Sequence, residues 1–190
     1  AVGRTGMGAV MGSKNLRAIA VRAPQGAKLA FANPEGLKQL AKLGAERVPT
    51  ADFPSTLRAH GTPGVVAFQS GAGNMATHNY TSGCHPDHKN LAGETYDPVI
   101  GAGNTTCYGC MVGCRKRVKA DAPYPVSDKL GGPEFETLST LGTNLDLVEI
   151  TAVAHANELC NEYGLDTITM GAMAAYVFES MEKGCLPAAK

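Results

Sequence analysis

The chain has 190 residues, 17 basic and 17 acidic, for a formal net charge of zero. That balance excludes a global field that would draw the chain to nucleic acid, and the length allows one large domain or two small ones. Hydrophobic content of 44% is ordinary for a folded protein, no apolar run approaches the roughly 20 residues that span a bilayer, and no signal peptide is visible.

Residues 1–15, AVGRTGMGAVMGSKN, hold Gly3, Gly6, Gly8 and Gly12, too many for a regular element. Leu16-Arg17-Ala18-Ile19-Ala20-Val21 reads as a short buried strand ended near Pro24. Asn33 is placed to cap a helix with Pro34 at its first position, running to about Val48 with Leu37, Leu40, Ala41 and Leu43 on its apolar side. From about residue 50 to 104 the chain is punctuated by Gly and Pro. Short helices are expected over Ser55–His60 and Pro63–Ser70. Segment 71–104 reads as a long irregular path, either functional or wrapped around something. The cysteine-rich stretch that follows is expected to open a helix of two or three turns ending near Lys119. Pro133 starts another helix, with Phe135, Leu138 and Leu141 on one face. Leu147 to Tyr163 forms the next, stopped at Gly164, and Thr167 to Lys183 the last, ended by Gly184 in a left-handed cap. The expected fold class is mainly α: an irregular helical domain with a short strand or loop segment at the N-terminus.

The chemistry is concentrated in Cys107-Tyr108-Gly109-Cys110-Met111-Val112-Gly113-Cys114, a C-x2-C-x3-C run holding three of the six cysteines. Three thiols cannot pair among themselves, but they can ligate one compact centre and leave a further ligand to be found elsewhere. Thiolates suit iron–sulfur clusters and zinc. Structural zinc usually takes two separated pairs of ligands, and the chain has no second C-x2-C. Inert cysteines buried in a helix are the bland reading. Gly109 and Gly113 would let backbone amides approach cluster sulfurs. The basic run Arg115-Lys116-Arg117-Val118-Lys119 is a solvated face or helix end, or else it offsets cluster charge or docks an acidic electron carrier. Clustered thiols beside the scattered Cys84, Cys160 and Cys185 fit a reducing compartment.

Three further segments carry candidate chemistry. In Gly3-Arg4-Thr5-Gly6-Met7-Gly8 the exposed amides, with Arg4 or Lys14, could hold phosphate. A tight turn explains these glycines equally well, and the strand that follows rather than precedes them disfavours a Rossmann reading. In Gly131-Gly132-Pro133-Glu134-Phe135-Glu136-Thr137, the carboxylates either serve the helix dipole or place a proton donor or acceptor at a buried site. Asn161-Glu162-Tyr163-Gly164-Leu165-Asp166 by itself reads as a helix–helix corner with Asp166 as the cap. His78, His85 and His88 share a loop with Cys84, where Cys84-His85-Pro86-Asp87-His88 is a zinc-capable run. His155 reads as a partly buried helix residue.

Taken together and in this order, GRTGMGAVMGSKNLRAIAV, the C-x2-C-x3-C run, GGPEFETLSTLG and LCNEYGLDTITMG resemble the aldehyde:ferredoxin oxidoreductase family of tungsten enzymes, from Gly3 to about Gly184. The resemblance implies one tungsten (or molybdenum) held by two pterins beside a [4Fe–4S] cluster, with a magnesium ion bridging pterin phosphates. It implies oxidation of aldehydes to carboxylic acids, ferredoxin as electron acceptor, and a cytoplasmic location. Residues 1–24 would close an N-terminal pterin-binding domain and 25–190 would form most of a first helical domain. On that similarity, Arg4, Gly8, Ala9, Lys14 and Asn15 are the pterin-side candidates at the N-terminus, with a carbonyl near Ala9 for magnesium. Cys107, Cys110 and Cys114 would be three of four cluster ligands, the fourth lying in sequence beyond this chain, so neither Cys84, Cys160 nor Cys185 should complete the site. Glu136 is the first choice for the glutamate nearest the metal and Glu134 the second. Asn161, Gly164, Leu165 and Asp166 match a pterin-binding motif that begins with Asp in the family, so Asn161 is a departure that keeps hydrogen bonding and loses charge.

If the polypeptide ends at Lys190, little or no catalysis would be expected, because half of the cofactor shell would be missing, and binding of the cofactors to that fragment is left open. Other domains of the same enzyme, and a homodimer partner, are then implied. The alternatives are a same-superfamily reductase of aromatic thioesters, a non-catalytic iron–sulfur electron-transfer module, and a zinc-stabilised binding module.

Overall fold

The computed structural model describes residues 5–27 and 29–187. It is mainly helical, as expected. Helix α1 (Met7–Ser13) starts after Gly6, which sits at φ 75°. Residues 16–24 then run as irregular chain. The buried strand expected over Leu16–Val21 is not formed, and Val21 is 92% exposed. A strand exists only with a hydrogen-bonding neighbour, and among the described residues the one sheet is built from two later segments.

Helix α2 (Pro34–Arg47) forms where the capping residues placed it. Asn33 Oδ1 accepts the Gly36 N–H at 2.9 Å, and Pro34 occupies the first turn. Its apolar stripe nevertheless faces outward, with Leu37, Leu40 and Leu43 all exposed. Helices α3 (Asp52–His60) and α4 (Val66–Gly71) follow, joined by the 3-10 turn Thr62–Val65.

The stretch expected to be irregular through residue 104 is irregular only as far as 87. A 3-10 turn (His88–Leu91), helix α5 (Gly93–Ile100) and strand β1 (Gly101–Thr105) complete it. Gly93 and Pro98 read as breakers, but Tyr96 and Ile100, four apart on one helical face, are almost wholly buried. That packing outweighs weak local propensity.

The helix expected over the cysteines is also absent. Strand β2 (Arg115–Val118) pairs antiparallel with β1, with Thr105 opposite Arg115 and Gly101 opposite Val118. The cysteines form the loop of this hairpin. Two causes are local. Gly109 and Gly113 both adopt left-handed backbone, at φ 70° and 67°, which breaks a helix. Residues 115–118 alternate exposed and buried, with Lys116 and Val118 inward, which is a strand period.

The helix expected from Pro133 is reduced to one turn, α6 (Phe135–Thr137), followed by a π-helical turn (Leu138–Gly142) and a 3-10 turn (Thr143–Leu145). Leu138 and Leu141 are buried as the spacing required. Helices α7 (Ile150–Glu162) and α8 (Thr167–Glu182) close the described chain. Gly164 and Gly184 hold the left-handed positions expected of them, and Asp166 Oδ2 accepts the Thr169 N–H at 2.9 Å. The core gathers Val66, Met75, Leu91, Tyr96, Leu138 and Val153 between α4, α5, β2, the π turn and α7. No helix among the described residues is long and apolar enough to cross a membrane.

Candidate metal and cofactor site

Cys107 and Cys110 are exposed and Cys114 is half-buried. Their loop is held by short-range hydrogen bonds: Cys110 N–H donates to Cys107 O at 3.0 Å, and Thr106 Oγ1 donates to Cys110 O at 2.8 Å. The left-handed turns at Gly109 and Gly113 fold it back on itself. The backbone N–H groups of Gly113 and Val112 hydrogen-bond the Cys110 sulfur and hold its thiol below the usual range. That favours the thiolate, the form that ligates metals. Burial, with the Glu134 carboxylate behind it, pushes the Cys114 thiol up. Arg58 anchors the loop from α3 by donating to Met111 O at 3.1 Å. The donor set of three thiols with amides aimed at sulfur fits a thiolate-bound cluster.

The other cysteines lie elsewhere. Cys84 accepts from Ser70 Oγ at 3.2 Å, Cys160 lies in the core, and Cys185 follows α8.

Beside this loop, a cavity of about 360 Å³ brings together residues from three separate motifs. Glu134 and Glu136 come from the start of α6, Asn161, Leu165 and Asp166 from the α7–α8 corner, and Arg115 from the residue after the third cysteine. The convergence has a structural cause. Asn157, buried on α7, donates to Gly131 O at 3.0 Å and so pins the Gly131-Gly132 turn to the helix that carries Asn161. Thr137 and Thr167 bond through their hydroxyls at 2.8 Å, tying α6 to the start of α8. Arg115 and Asn157 were missed in the sequence. The first looked like one more charge in a basic run, and the second was hidden in an ordinary helix.

The two glutamates differ in setting. Glu136 is exposed toward the cavity. Glu134 is half-buried and accepts a short hydrogen bond from Thr62 Oγ1, which also accepts the Phe135 N–H at 2.8 Å. Behind Glu134 lies Tyr96, whose phenol is pushed far above its usual range by burial and by the Glu134 and Asp97 carboxylates. Its hydroxyl has no hydrogen-bond partner among the described residues. Asp97 in turn accepts from His60 Nδ1 at 2.7 Å and pairs with the buried Lys116 at 2.6 Å. The basic run is therefore split. Lys116 is a buried structural cation, while Arg117 pairs with Asp128 at 2.9 Å on the surface.

Asn161 Nδ2 donates to Asn157 O at 2.8 Å, within its own helix. Gly164 supplies the left-handed turn that lets Leu165 and Asp166 reach the cavity wall. At the other end of the chain, Gly8 and Ala9 lie on the exposed helix α1 and Lys14 and Asn15 directly after it, with Asn15 at φ 54°. None of these four lines the cavity. Arg4 lies outside the described residues. His155 is half-buried on α7 and donates to Pro125 O at 2.8 Å, a structural contact as expected.

The family model described as aldehyde ferredoxin oxidoreductase, domains 2 and 3, matches residues 38–190. A tungsten-containing aldehyde ferredoxin oxidoreductase of Pyrococcus furiosus is 33% identical over 187 residues, 97% of this chain and 30% of the relative. Its counterpart in Thermococcus kodakarensis is 33% identical over 98% of the chain and 30% of the relative. An aliphatic sulfonate oxidoreductase, WOR-like subunit, of Pyrococcus furiosus is 29% identical over 98% of the chain. The chain thus spans about 30% of the length of the curated relatives it matches.

Proposed function

The chain belongs to the aldehyde ferredoxin oxidoreductase family, and on that premise we propose that it is the cluster-binding and pterin-facing part of a tungsten (or molybdenum) pterin enzyme that oxidises aldehydes to carboxylic acids and passes electrons to ferredoxin. In this reading residues 1–24 close a pterin-binding domain and 25–190 form most of the helical domain next to it. The observation that carries the proposal is the single cavity that unites Glu134, Glu136, Asn161, Leu165 and Asp166 with Arg115, the neighbour of the cysteine loop. A cofactor in that cavity and a cluster in that loop would be adjacent, as single-electron transfer between them requires.

Cys107, Cys110 and Cys114 would hold three irons of a [4Fe–4S] cluster, with the fourth ligand supplied by another part of the parent enzyme. Asn161 would exchange hydrogen bonds with the pterin ring system, Asp166 would accept from it, and Gly164 and Leu165 would shape its seat. Arg4, Gly8, Ala9, Lys14 and Asn15 would face pterin phosphates and their magnesium from the N-terminal side. The bound metal supplies the two-electron oxidation itself. The chain's own part is to orient the aldehyde, exclude water and move a proton. Glu136 is exposed to the cavity and takes the proton role. Glu134 is held by Thr62 and acts as the positioned charge between the cavity and Cys114.

Glu136→Gln keeps the shape and removes the acid–base function. In the purified enzyme it should leave tungsten and iron content unchanged and lower turnover of a simple aldehyde by roughly 100-fold or more. Unchanged turnover at unchanged metal content would remove Glu136 from the mechanism.

A further inference from the structure

We propose that His78, His85 and Asp146 form a divalent-metal site, separate from the cysteine loop and the cofactor cavity, that takes a first-row ion through two imidazole Nε2 atoms and one carboxylate oxygen. These three donor atoms all lie within 4.8 Å of one another. His78 Nε2 is 3.0 Å and His85 Nε2 2.8 Å from the same oxygen, Asp146 Oδ1. The two rings stand edge to face, at 80° with centroids 5.6 Å apart, so their Nε2 atoms converge from different directions. Two imidazoles and a carboxylate are a donor set for zinc or iron(II), with positions left for water or a further ligand.

The backbone around the cluster is also unusual. His78, Asn79 and Tyr80 are three consecutive non-glycine residues with left-handed φ of 46°, 50° and 64°, and Asp146 is at 58°. Both ends of the cluster therefore sit in costly conformations, and strain of this kind gathers at functional sites. It is imposed by specific bonds. His78 N–H donates to Thr143 O at 3.3 Å, Asn79 N–H to Asn144 O at 3.2 Å and Tyr80 N–H to Asn144 Oδ1 at 2.9 Å. These bonds lay the loop beside the turn that carries Asp146. An exposed His–carboxylate pair returns little in exchange; a bound ion returns much more.

The site is also accessible. His78 and Asp146 face a cavity of about 380 Å³ whose far wall carries Glu179 and Lys183 of α8. His85 is its buried anchor, 2% exposed, with Nδ1 accepting the Asp87 N–H at 3.1 Å. In the hydrogen-bonded arrangement its ring proton is therefore on Nε2 and directed at Asp146. An ion at Nε2 moves that proton to Nδ1, so the exposed Asp87 amide must turn away from the ring while the donors spread slightly to reach about 2.0–2.2 Å from the metal. The sequence run around Cys84 suggested a different set. In the structure, Cys84 pairs with Ser70, and His88 donates to the His85 carbonyl. The carboxylate arrives instead from a residue 61 positions further along the chain.

Zinc binding to the purified chain by equilibrium dialysis tests this, in a Cys107→Ser, Cys110→Ser, Cys114→Ser background that removes the clustered thiols. One zinc equivalent is expected. Asp146→Gly keeps the left-handed turn, because glycine takes that position freely, and, with folding checked by circular dichroism, should bind zinc at least tenfold more weakly, as should His78→Asn. His88→Ala should bind as the background does. No stoichiometric zinc in the background, or unchanged affinity in Asp146→Gly, would overturn the site.

Discussion

Cys110→Ser is expected to strip most of the iron from the purified protein and to reduce aldehyde-dependent electron transfer to background. Cys110 is the thiol toward which the Gly113 and Val112 amides point, and those hydrogen bonds hold it below the usual thiol range. A serine hydroxyl fits the same space, but at neutral pH it neither ionises nor offers a soft donor. The loop itself should survive, because its turns are made by Gly109, Gly113 and the Thr106 hydroxyl rather than by sulfur. Iron and labile sulfide should therefore fall while the circular dichroism spectrum is unchanged. Cys84→Ser and Cys185→Ser serve as controls and should keep full iron. Full iron in Cys110→Ser, or iron lost equally in Cys84→Ser, would show that the cluster is held elsewhere.

Gly171→Ala should destabilise the fold by about 3 kcal/mol. A Cβ at this position would lie 2.3 Å from Thr140 O, 2.4 Å from Thr140 C and 2.8 Å from Leu141 N, all of them backbone atoms of the π-helical turn. No side chain can swing aside, so α8 must back away from the turn and open the packing around Ala175 and Leu141. The sign is diagnostic. In an open helix, Gly to Ala is favourable by about 1 kcal/mol, and Gly12 in α1, with nothing within 4 Å of its would-be Cβ, provides that comparison. Denaturant unfolding should show a lower midpoint for Gly171→Ala and an equal or higher one for Gly12→Ala. A Gly171→Ala protein as stable as the parent would mean that α8 does not approach the turn this closely. Because the same turn follows directly from Glu136, the displacement should also disturb the cofactor cavity.

Helix ends were the most legible part of the fold in the sequence. Asn33 with Pro34, Gly164, Asp166 and Gly184 act at short range and do in the structure what local chemistry predicts. Elements decided by partners were harder to see. The segment over Leu16–Val21 carries a strand's composition but has no pairing neighbour among the described residues. Helix α5 looks broken by Gly93 and Pro98, yet buried Tyr96 and Ile100 secure it. In the cysteine segment, glycines that suit close approach of backbone to sulfur instead make left-handed turns at Gly109 and Gly113, and these break the expected helix. The alternation of Lys116 and Val118 was the available signal for a strand.

The candidate site divides in the same way. The glutamates, the Asn161–Asp166 corner and the cysteines stand out as motifs, and the structure brings the first two groups into one cavity. Arg115 and Asn157 became visible only through folding, which sets one in the cavity wall and uses the other to fix the Gly131 turn. The Thr62–Glu134–Tyr96 arrangement and the His78–His85–Asp146 cluster each join residues more than 30 positions apart, a distance at which spacing carries no signal.

We propose a tungstopterin oxidoreductase whose electrons leave through the cysteine loop. Elemental analysis of the anaerobically purified protein tests it most directly. Tungsten or molybdenum together with about four iron atoms per polypeptide is expected, with loss of that iron in Cys110→Ser. Zinc with neither tungsten, molybdenum nor iron would contradict it.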